Sequence, residues 1–528
     1  MMRFVWAVVA AVGLAAAVQA EPLKPAVEVR LLGASDLVPV IEYVGGLVGQ
    51  KDQFEQIGGL VKTFAENEKG LEGLDLKRPL GAYAVVTEKV EESTVVLMIP
   101  VADADAVVAL MSGKLSLDPK KDEKTGTYSM EVPNFPATVY FRFNDGYMYA
   151  TLRSADGVDK AKLIAPKTFF ADKMPGVIAA KVHFDRIPAD LRKAVYGQLE
   201  LQLKEGAKNN ADPAQKRINE FLIDAGVDAV KTLLTEGDTL TAAIDVEPKS
   251  DDIKLAVTIT PKGGSTLSKT FASFADRDSG VTAAVAAVKN PVLALGLNFT
   301  LPPETKKKFA ALIDGLAKDA VDNAKGDEKA ALEMVTNSVL PTLRAGDLQL
   351  GLVTTDAGKG KVGLTAAVKT VDGKEIEKTA KFFGQFLPAD QAEFTGDVEK
   401  AGERNVHKLK FAKSEGVPFG SDTLWVLTGD DLLAVQTADK ADGVKAIGAT
   451  KPAKTPMLAF EVSLVRFAGL VNSANADTIK NVVNSVFEGG KTDGLDTLKV
   501  TATGGKEFTL TTTIKGKGLV FITGVNQK

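Results

Sequence analysis

The chain contains two histidines and no cysteine, which restricts the chemistry that its side chains could perform. His183 and His407 lie far apart, each inside an alternating segment that predicts a β-strand. Neither belongs to an H-E-x-x-H pair, and no G-x-S-x-G segment is present, so these zinc-protease and α/β-hydrolase motifs are excluded. We predict a structural role for both histidines; the alternative is one histidine that works with carboxylates as a base or metal ligand.

Acidic pairs occur at three positions where chain geometry alone accounts for them. Asp103 and Asp105 begin a predicted helix, where carboxylates interact favourably with the N-terminal dipole, and the spacing of a calcium loop is missing. Asp251–Asp252 and Asp430–Asp431 lie at predicted hairpin turns. Because the chain has 68 acidic residues, a hydrolase that uses paired carboxylates stays open as an alternative.

Two glycine-rich segments resemble parts of phosphate-binding motifs. Gly358–Gly363 fits G-x-G-x-x-G, but the following residues alternate as a strand, whereas a dinucleotide site requires a helix there. Gly489–Thr492 resembles the end of a P-loop, but it follows a predicted helix, and a helix C-terminus repels phosphate. We interpret the first as a hairpin turn and the second as a helix stop, and we predict no cofactor.

The densest aromatic cluster surrounds a predicted hairpin turn at 144–146. Strand alternation places Tyr147 and Tyr149 on one face and Phe141 and Phe143 on the other. One pair is expected in the core. The other pair could form an exposed binding surface, although cross-strand packing is favoured because such pairs stabilise sheets.

The first twenty residues have the features of a signal peptide. Arg3 supplies a positive charge, residues 4–18 are almost wholly apolar, and Val18–Ala20 is a small-residue cleavage site. We therefore predict export, to the periplasm or the exterior, after cleavage following Ala20. No later uncharged run is long enough for a membrane helix, so no span is predicted in the mature chain.

Composition and charge exclude further function classes. The chain is 45% hydrophobic and 25% charged, which is typical of globular proteins, and its 528 residues are too many for a single core. The formal net charge is −4, with both signs interspersed. Nucleic acid is therefore not a predicted partner, because phosphate binding requires a basic surface.

Four segments share one order of predicted elements: a strand, a stretch of helical periodicity and two alternating strands. They begin near Ala26, Pro175, Pro291 and Pro456. The closing strands alternate apolar residues with Thr, Lys and Asp, which is typical of an antiparallel sheet with one wet face. The predicted fold class is α+β, with antiparallel sheets packed on one face by amphipathic helices and the β-helix-β-β unit repeated about four times.

Extra strands follow the first and third units, at Thr127–Leu152 and Val406–Thr437, and corresponding units are separated by nearly equal distances. A duplicated half would give this pattern. We therefore predict a signal peptide at 1–20, a first α+β half at 21–285 and a second at 286–528. Each half has two units and a hairpin insert.

The leader, the absence of cysteine and the strand–helix–hairpin units resemble large exported proteins of unknown function from planctomycete-type bacteria. The resemblance includes a tyrosine-rich hairpin, with Tyr140, Tyr147 and Tyr149, and covers most of the chain after the leader. It implies export and this architecture, and that group has no established activity to transfer to any residue.

These features together predict an exported, soluble, non-enzymatic protein that binds or scaffolds a component of the cell envelope. The expected partner is an envelope protein or an apolar small molecule. The alternatives are a carrier of an apolar ligand and a hydrolase that depends on carboxylates, His183 or His407. No catalytic, cofactor-binding or metal-binding residue is assigned.

Overall fold

A computed structural model describes residues 24–67, 71–133, 137–152, 154–206, 213–358, 361–388, 390–412, 420–471, 476–488 and 491–526. Its α-helices and antiparallel strands confirm the predicted α+β class. The chain divides into two compact units: the described residues up to Gln198 with Thr232–Pro261, and Leu199–Lys231 with the residues from Lys262 onward. The predicted signal peptide lies outside the described residues, and the halves at 21–285 and 286–528 stay a prediction.

The first unit is built mainly from strands and two long helix pairs. Its strands are β1 (Val27–Leu31), β2 (Leu80–Val85), β3 (Thr94–Pro100), β4 (Lys120–Lys121), β5 (Tyr128–Glu131), β6 (Thr138–Asn144), β7 (Tyr147–Leu152), β8 (Ile178–His183), β9 (Gly237–Glu247) and β10 (Asp252–Pro261). The helices up to the same point in the chain are α1 (Ala34–Leu47), α2 (Lys51–Glu66), α3 (Ala104–Gly113), α4 (Pro166–Phe169), α5 (Ala189–Gly206) and α6 (Pro213–Glu236). The middle of the α5–α6 pair, Leu199–Lys231, is assigned to the second unit.

The described strands of the first unit pair in the order β4-β5-β6-β7-β3-β2-β1-β8-β9-β10, and every neighbouring pair is antiparallel. Strands β1 and β8 pair in the interior of this order. Each is the first strand of one of the two strand–helix–helix–hairpin segments. The β4–β7 strands extend the sheet on one side. The turn between β6 and β7 is determined by its own residues. Asp145 and Gly146 both have positive φ, as a tight hairpin turn requires.

The second unit contains the remaining elements. Its strands are β11 (Arg277–Ser279), β12 (Leu293–Thr300), β13 (Asp347–Asp356), β14 (Val362–Lys369), β15 (Ala392–Ala401), β16 (Arg404–Phe411), β17 (Thr423–Gly429), β18 (Leu432–Thr437), β19 (Ala453–Thr455), β20 (Leu458–Ser463), β21 (Thr497–Thr503) and β22 (Phe508–Lys515). Its helices are α7 (Thr266–Ser273), α8 (Gly280–Ala286), α9 (Pro303–Asn323), α10 (Asp327–Ala345), α11 (Gly373–Gly384), α12 (Asp442–Ala449), α13 (Leu464–Val471), α14 (Ala476–Val486) and α15 (Gly516–Asn526).

The second unit repeats the strand order of the first. Its described strands pair antiparallel as β15-β16-β17-β18-β14-β13-β12-β20-β21-β22, and β11 pairs separately with β19. Each strand of this ten-stranded order therefore has a counterpart at the same place in the first unit, and β11 and β19 have none among its described strands. The insert β15–β18 corresponds to β4–β7, and α11 corresponds to α3.

In the second unit, the short helices α8 and α12 bury more side chains than the long helices α9 and α10 do. In the second unit, α8 and α12 contribute Val281, Val444 and Ile447 to a core that also contains Trp425 and Leu427. By contrast, no residue of the 21-residue helix α9 is fully buried, and Ser338 is the buried residue of α10. Among the described residues, no helix is long and apolar enough to cross a membrane.

Both faces of the β6–β7 hairpin are buried, so neither aromatic pair forms an exposed binding surface. Tyr147 and Tyr149 pack with Tyr83 and Phe169 on one face. Phe141 packs on the other face in a cluster that includes residues of α3 and β7. Cross-strand packing, the favoured interpretation of this cluster, is what the structure shows.

Candidate functional site

Three side chains with metal-ligand or acid–base chemistry meet in the second unit. Glu377 lies on α11, Asp397 on β15 and His407 on β16. One ligand atom from each falls within 4.8 Å of the others, which makes them a candidate cluster among the described residues. They are separated by ten to thirty residues in the sequence, which explains why no short motif reveals them.

His407 is completely buried and uses both ring nitrogens. Its Nδ1 accepts a hydrogen bond from the backbone N–H of Asp397 at 3.1 Å. Nδ1 therefore carries no proton, and the neutral ring donates from Nε2 to Thr428 Oγ1 at 2.8 Å. Burial lowers the pKa of His407 below its ordinary value, and the nearby carboxylates of Glu377 and Asp397 offset this only in part.

The bond to His407 Nδ1 depends on an irregularity in β15. The pairing of β15 with β16 shifts register between Thr395 and Glu399, which marks a β-bulge. Asp397 lies inside this bulge with φ of 53°, a left-handed conformation that asparagine and aspartate tolerate better than most residues. The bulge frees the Asp397 N–H from strand pairing, and this donor bonds to the imidazole.

Glu377 is held by three neighbouring side chains. Its carboxylate accepts from Lys381 at 2.6 Å and from Asn405 at 2.9 Å, and Thr428 also bonds to it. Burial acts to raise the pKa of Glu377, but these hydrogen bonds outweigh it and hold the pKa below its usual value. The Lys381 ammonium also contacts Asp397 at 2.8 Å, and its bonds to Asp397 and Glu377 raise the pKa of Lys381.

The result is a closed network rather than an activated centre. A general base or a metal-ligating histidine needs a free lone pair, and the Nδ1 lone pair of His407 is already engaged. The ammonium of Lys381 lies between the carboxylates of Glu377 and Asp397, where a bound cation would have to lie. Lys381 thus offsets part of the negative charge of the two carboxylates, and the hydrogen bonds of the cluster hold its side chains in place.

The corresponding positions of the first unit hold aromatic residues. Register places His407 where the first unit has Tyr128, and Thr428 where it has Phe143. There, Tyr128 stacks on Phe141 with ring centroids 4.9 Å apart, and Phe143 meets both edge-on. Buried polar groups confer little or no stability advantage over a packed apolar core. The polar version in the second unit therefore points to a functional difference.

An open cleft lies directly beside this network. A cavity of about 550 Å³ runs along α11, and its lining residues are Lys374, Glu377, Lys378, Lys381, Phe382, Gln385 and Asn405. A second cavity of about 590 Å³ shares Lys374 with it and lies against the β15–β16 and β17–β18 turns, where Arg404 bonds to Asp431. Both volumes fall in the range of small-molecule sites.

The other histidine forms a separate cluster in the first unit. His183 Nε2 lies 3.0 Å from Glu28 Oε1, and Arg30 donates to the other carboxylate oxygen at 2.8 Å. Burial acts to raise the pKa of Glu28, but the bonds from His183 and Arg30 hold it below its usual value. Both His183 and Glu28 are buried in the sheet, in strands β8 and β1.

The remaining candidate motifs have structural roles where they are described. Asp103 caps α3 by accepting from the N–H of Ala106 at 3.0 Å. Asp430 lies in the β17–β18 turn and pairs with Lys374. Gly358–Gly363 joins β13 to β14, as the hairpin interpretation predicts, although residues 359–360 lie outside the described residues. Helix α14 ends at Val486, before Gly489 and Gly490, which also lie outside them.

Comparison with protein-family models, curated proteins and solved structures finds no match for this chain. The candidate site therefore rests on its own geometry.

Proposed function

We propose that this chain is an exported, non-enzymatic binding protein of the cell envelope whose ligand site is the cleft along α11. The observation that carries the proposal is the polar network of Glu377, Lys381 and His407, found where the first unit has an aromatic cluster. Polar side chains held in place beside an open cavity are typical of a binding site.

The hydrogen bonds of the network favour binding over catalysis. His407 offers no free lone pair, and Glu377 accepts from three neighbours at once. A carboxylate- or histidine-dependent hydrolase would have to break these bonds before it could activate water. Rigid, fully bonded side chains instead keep a cleft in one shape, which reduces the entropy lost on binding.

Duplication explains how such a site could arise. The identical strand order of the two units supports an origin from one ancestral half, after which the two inserts diverged in polarity. Export after cleavage following Ala20 and the resemblance to exported planctomycete-type proteins stay predictions of the sequence. Both agree with an envelope role.

A second candidate function, a carrier of an apolar ligand, is favoured by the long helix pair of the second unit. In α9, Phe309, Leu312, Ile313 and Leu316 recur at helix spacing, yet none is fully buried. A helix in a globular domain usually buries such a stripe against its core. An apolar ligand would complete the contact that the described chain leaves partial.

Activity profiling of the purified chain tests the main proposal. We expect no turnover of ester, amide, phosphoester or glycoside substrates above the level of the Glu377→Gln and His407→Asn variants. Glu28→Gln, in the separate cluster of the first unit, is the matched control. Turnover that disappears in Glu377→Gln or His407→Asn but persists in Glu28→Gln would establish a hydrolase and overturn the non-enzymatic function.

A further inference from the structure

Lysines are the main charged residues that line the cleft along α11. Three of its lining residues are lysines and one is a glutamate, whereas the whole chain has a net charge of −4. Glu377 accepts hydrogen bonds from Lys381, Asn405 and Thr428, so its oxygens are engaged within the network. The lysine ammonium groups, whose carboxylate partners include Asp430 and Glu375, are therefore the groups of the cleft that can bind an anion.

Two of the lysines are available to such an anion. Lys374 and Lys378 are each 76% exposed at the side chain, and their partners are the surface carboxylates of Asp430 and Glu375. Exposed pairs of this kind contribute little, because water and salt screen them. The anionic group of a ligand can therefore replace these carboxylates at a small cost in free energy.

The same helix face carries exposed aromatic residues. Phe382 is 41% exposed and lies one turn beyond Lys378, which itself lies one turn beyond Lys374. Phe386, 68% exposed, follows the end of α11 and packs on Phe382 with ring centroids 5.0 Å apart. Large exposed aromatic side chains that adjoin one another mark contact sites more often than ordinary surface does.

We propose that this cleft binds an organic anion with an apolar body, its carboxylate or phosphate held by Lys374 and Lys378 and its alkyl or aromatic part lying on Phe382. The inference rests on the proposed function and adds the ligand class. One turn of helix separates each lysine from the next group along the ridge, roughly 6 Å per step. The anionic head of a short amphiphile would thus contact the lysines, and its apolar tail would contact Phe382 further along the same helix face.

Isothermal titration with three matched probes tests this class. Octanoate carries the anion and the tail, octan-1-ol carries the tail, and acetate carries the anion. We expect octanoate to bind at one site about tenfold or more tightly than either partial probe. Lys374→Gln/Lys378→Gln should abolish this preference, and Phe382→Ser should weaken octanoate about fivefold.

A control pair distinguishes the site from general surface charge. Lys193 and Lys307 are similarly exposed, and each pairs with an acid three residues away on a helix, as Lys378 does. Lys193→Gln/Lys307→Gln should therefore leave octanoate binding unchanged. Equal binding of octan-1-ol and octanoate, or octanoate binding that survives Lys374→Gln/Lys378→Gln, would overturn the anionic ligand class. So would the absence of binding by all three probes. The proposed binding function is tested separately by activity profiling, where turnover that depends on Glu377 would overturn it.

Discussion

The backbone N–H of Asp397 donates to Nδ1 of His407 across a β-bulge, at 3.1 Å. This bond fixes the tautomer of a ring that is wholly buried. It also ties the irregular strand β15 to the interior of the second unit, so the protonation state of one imidazole controls a contact between two strands.

Acid should destabilise the second unit through His407. Its pKa lies below the ordinary 6.5 because burial disfavours the charged ring. The unfolded chain therefore takes up a proton when pH falls through about 6.5, while the folded chain does not, and the free energy of unfolding falls with pH until the folded pKa is reached. Urea denaturation between pH 7.5 and 5 measures this loss.

The His407→Gln variant is the comparison for the acid effect, because glutamine does not titrate. Between pH 6.5 and 5, its free energy of unfolding should depend less on pH than that of the parent chain. Glu377 contributes in a separate window, since its lowered pKa gives stability that is present above 4.5 and lost below it. Parallel pH profiles for the parent and His407→Gln above pH 5 would contradict a neutral buried ring.

Removing the charge of Glu377 should destabilise the chain. Glu377→Gln weakens charge-assisted bonds from Lys381 and Asn405, and we expect a loss of about 2 kcal/mol in the free energy of unfolding. Glu375→Gln on the same helix is the control, because its contact to Lys378 is exposed and long at 3.4 Å. That variant should change stability by less than about 0.5 kcal/mol. Equal effects of the two substitutions would mean that the network does not hold α11.

Buried and exposed aromatic residues should differ in their contribution to stability. Phe141 is 1% exposed in the first unit, so Phe141→Ala should cost about 4 kcal/mol through lost contacts and a cavity. Phe386→Ala, at the exposed end of α11, should change stability by less than about 0.5 kcal/mol. Chemical denaturation of both variants checks the contrast. A large loss in Phe386→Ala would show that this side chain belongs to the core and not to the exposed surface.

Two glycines should respond oppositely to alanine. A Cβ on Gly373 would collide with the carbonyl oxygen of Gly429, so Gly373→Ala should destabilise the start of α11 by about 2 kcal/mol. A Cβ on Gly59, in the interior of α2, meets no atom within 4 Å, so Gly59→Ala should stabilise the chain by about 0.5–1 kcal/mol. Thermal unfolding of the two variants should shift in opposite directions; shifts of the same sign would contradict this packing.

The spacing of apolar residues and of glycines predicted many helices, strands and turns, because these elements form through interactions between residues that are close in sequence. The spacing of apolar residues identified the long helices, and the glycines at 358–363 correctly marked the β13–β14 turn. The pairing of β14 with β18 could not be predicted, since these strands are separated by more than sixty residues and alternation does not specify a distant partner. The burial of both faces of the β6–β7 hairpin also depends on such distant contacts.

Most residues of the candidate site could not be predicted from the sequence. The strand location of His407 was predicted correctly, but Glu377, Lys381 and Asp397 were not singled out, because their contacts arise from a helix and a bulge far along the chain. One signal was present: Gly396-Asp397 is a turn-forming pair inside an otherwise alternating strand, which suggests a bulge. Polar residues at alternate positions of β16, Asn405 and His407, are a second signal.

The ring ¹⁵N chemical shifts of His407 at pH 8 test the central claim most directly, with His407→Gln used to assign the signals. A saturated, non-catalytic network predicts one tautomer, with a proton on Nε2 and with Nδ1 unprotonated and hydrogen-bonded. A proton on Nδ1 would leave the Nε2 lone pair facing Thr428 and Glu377 as a potential base. That result would contradict a binding site without a reactive centre.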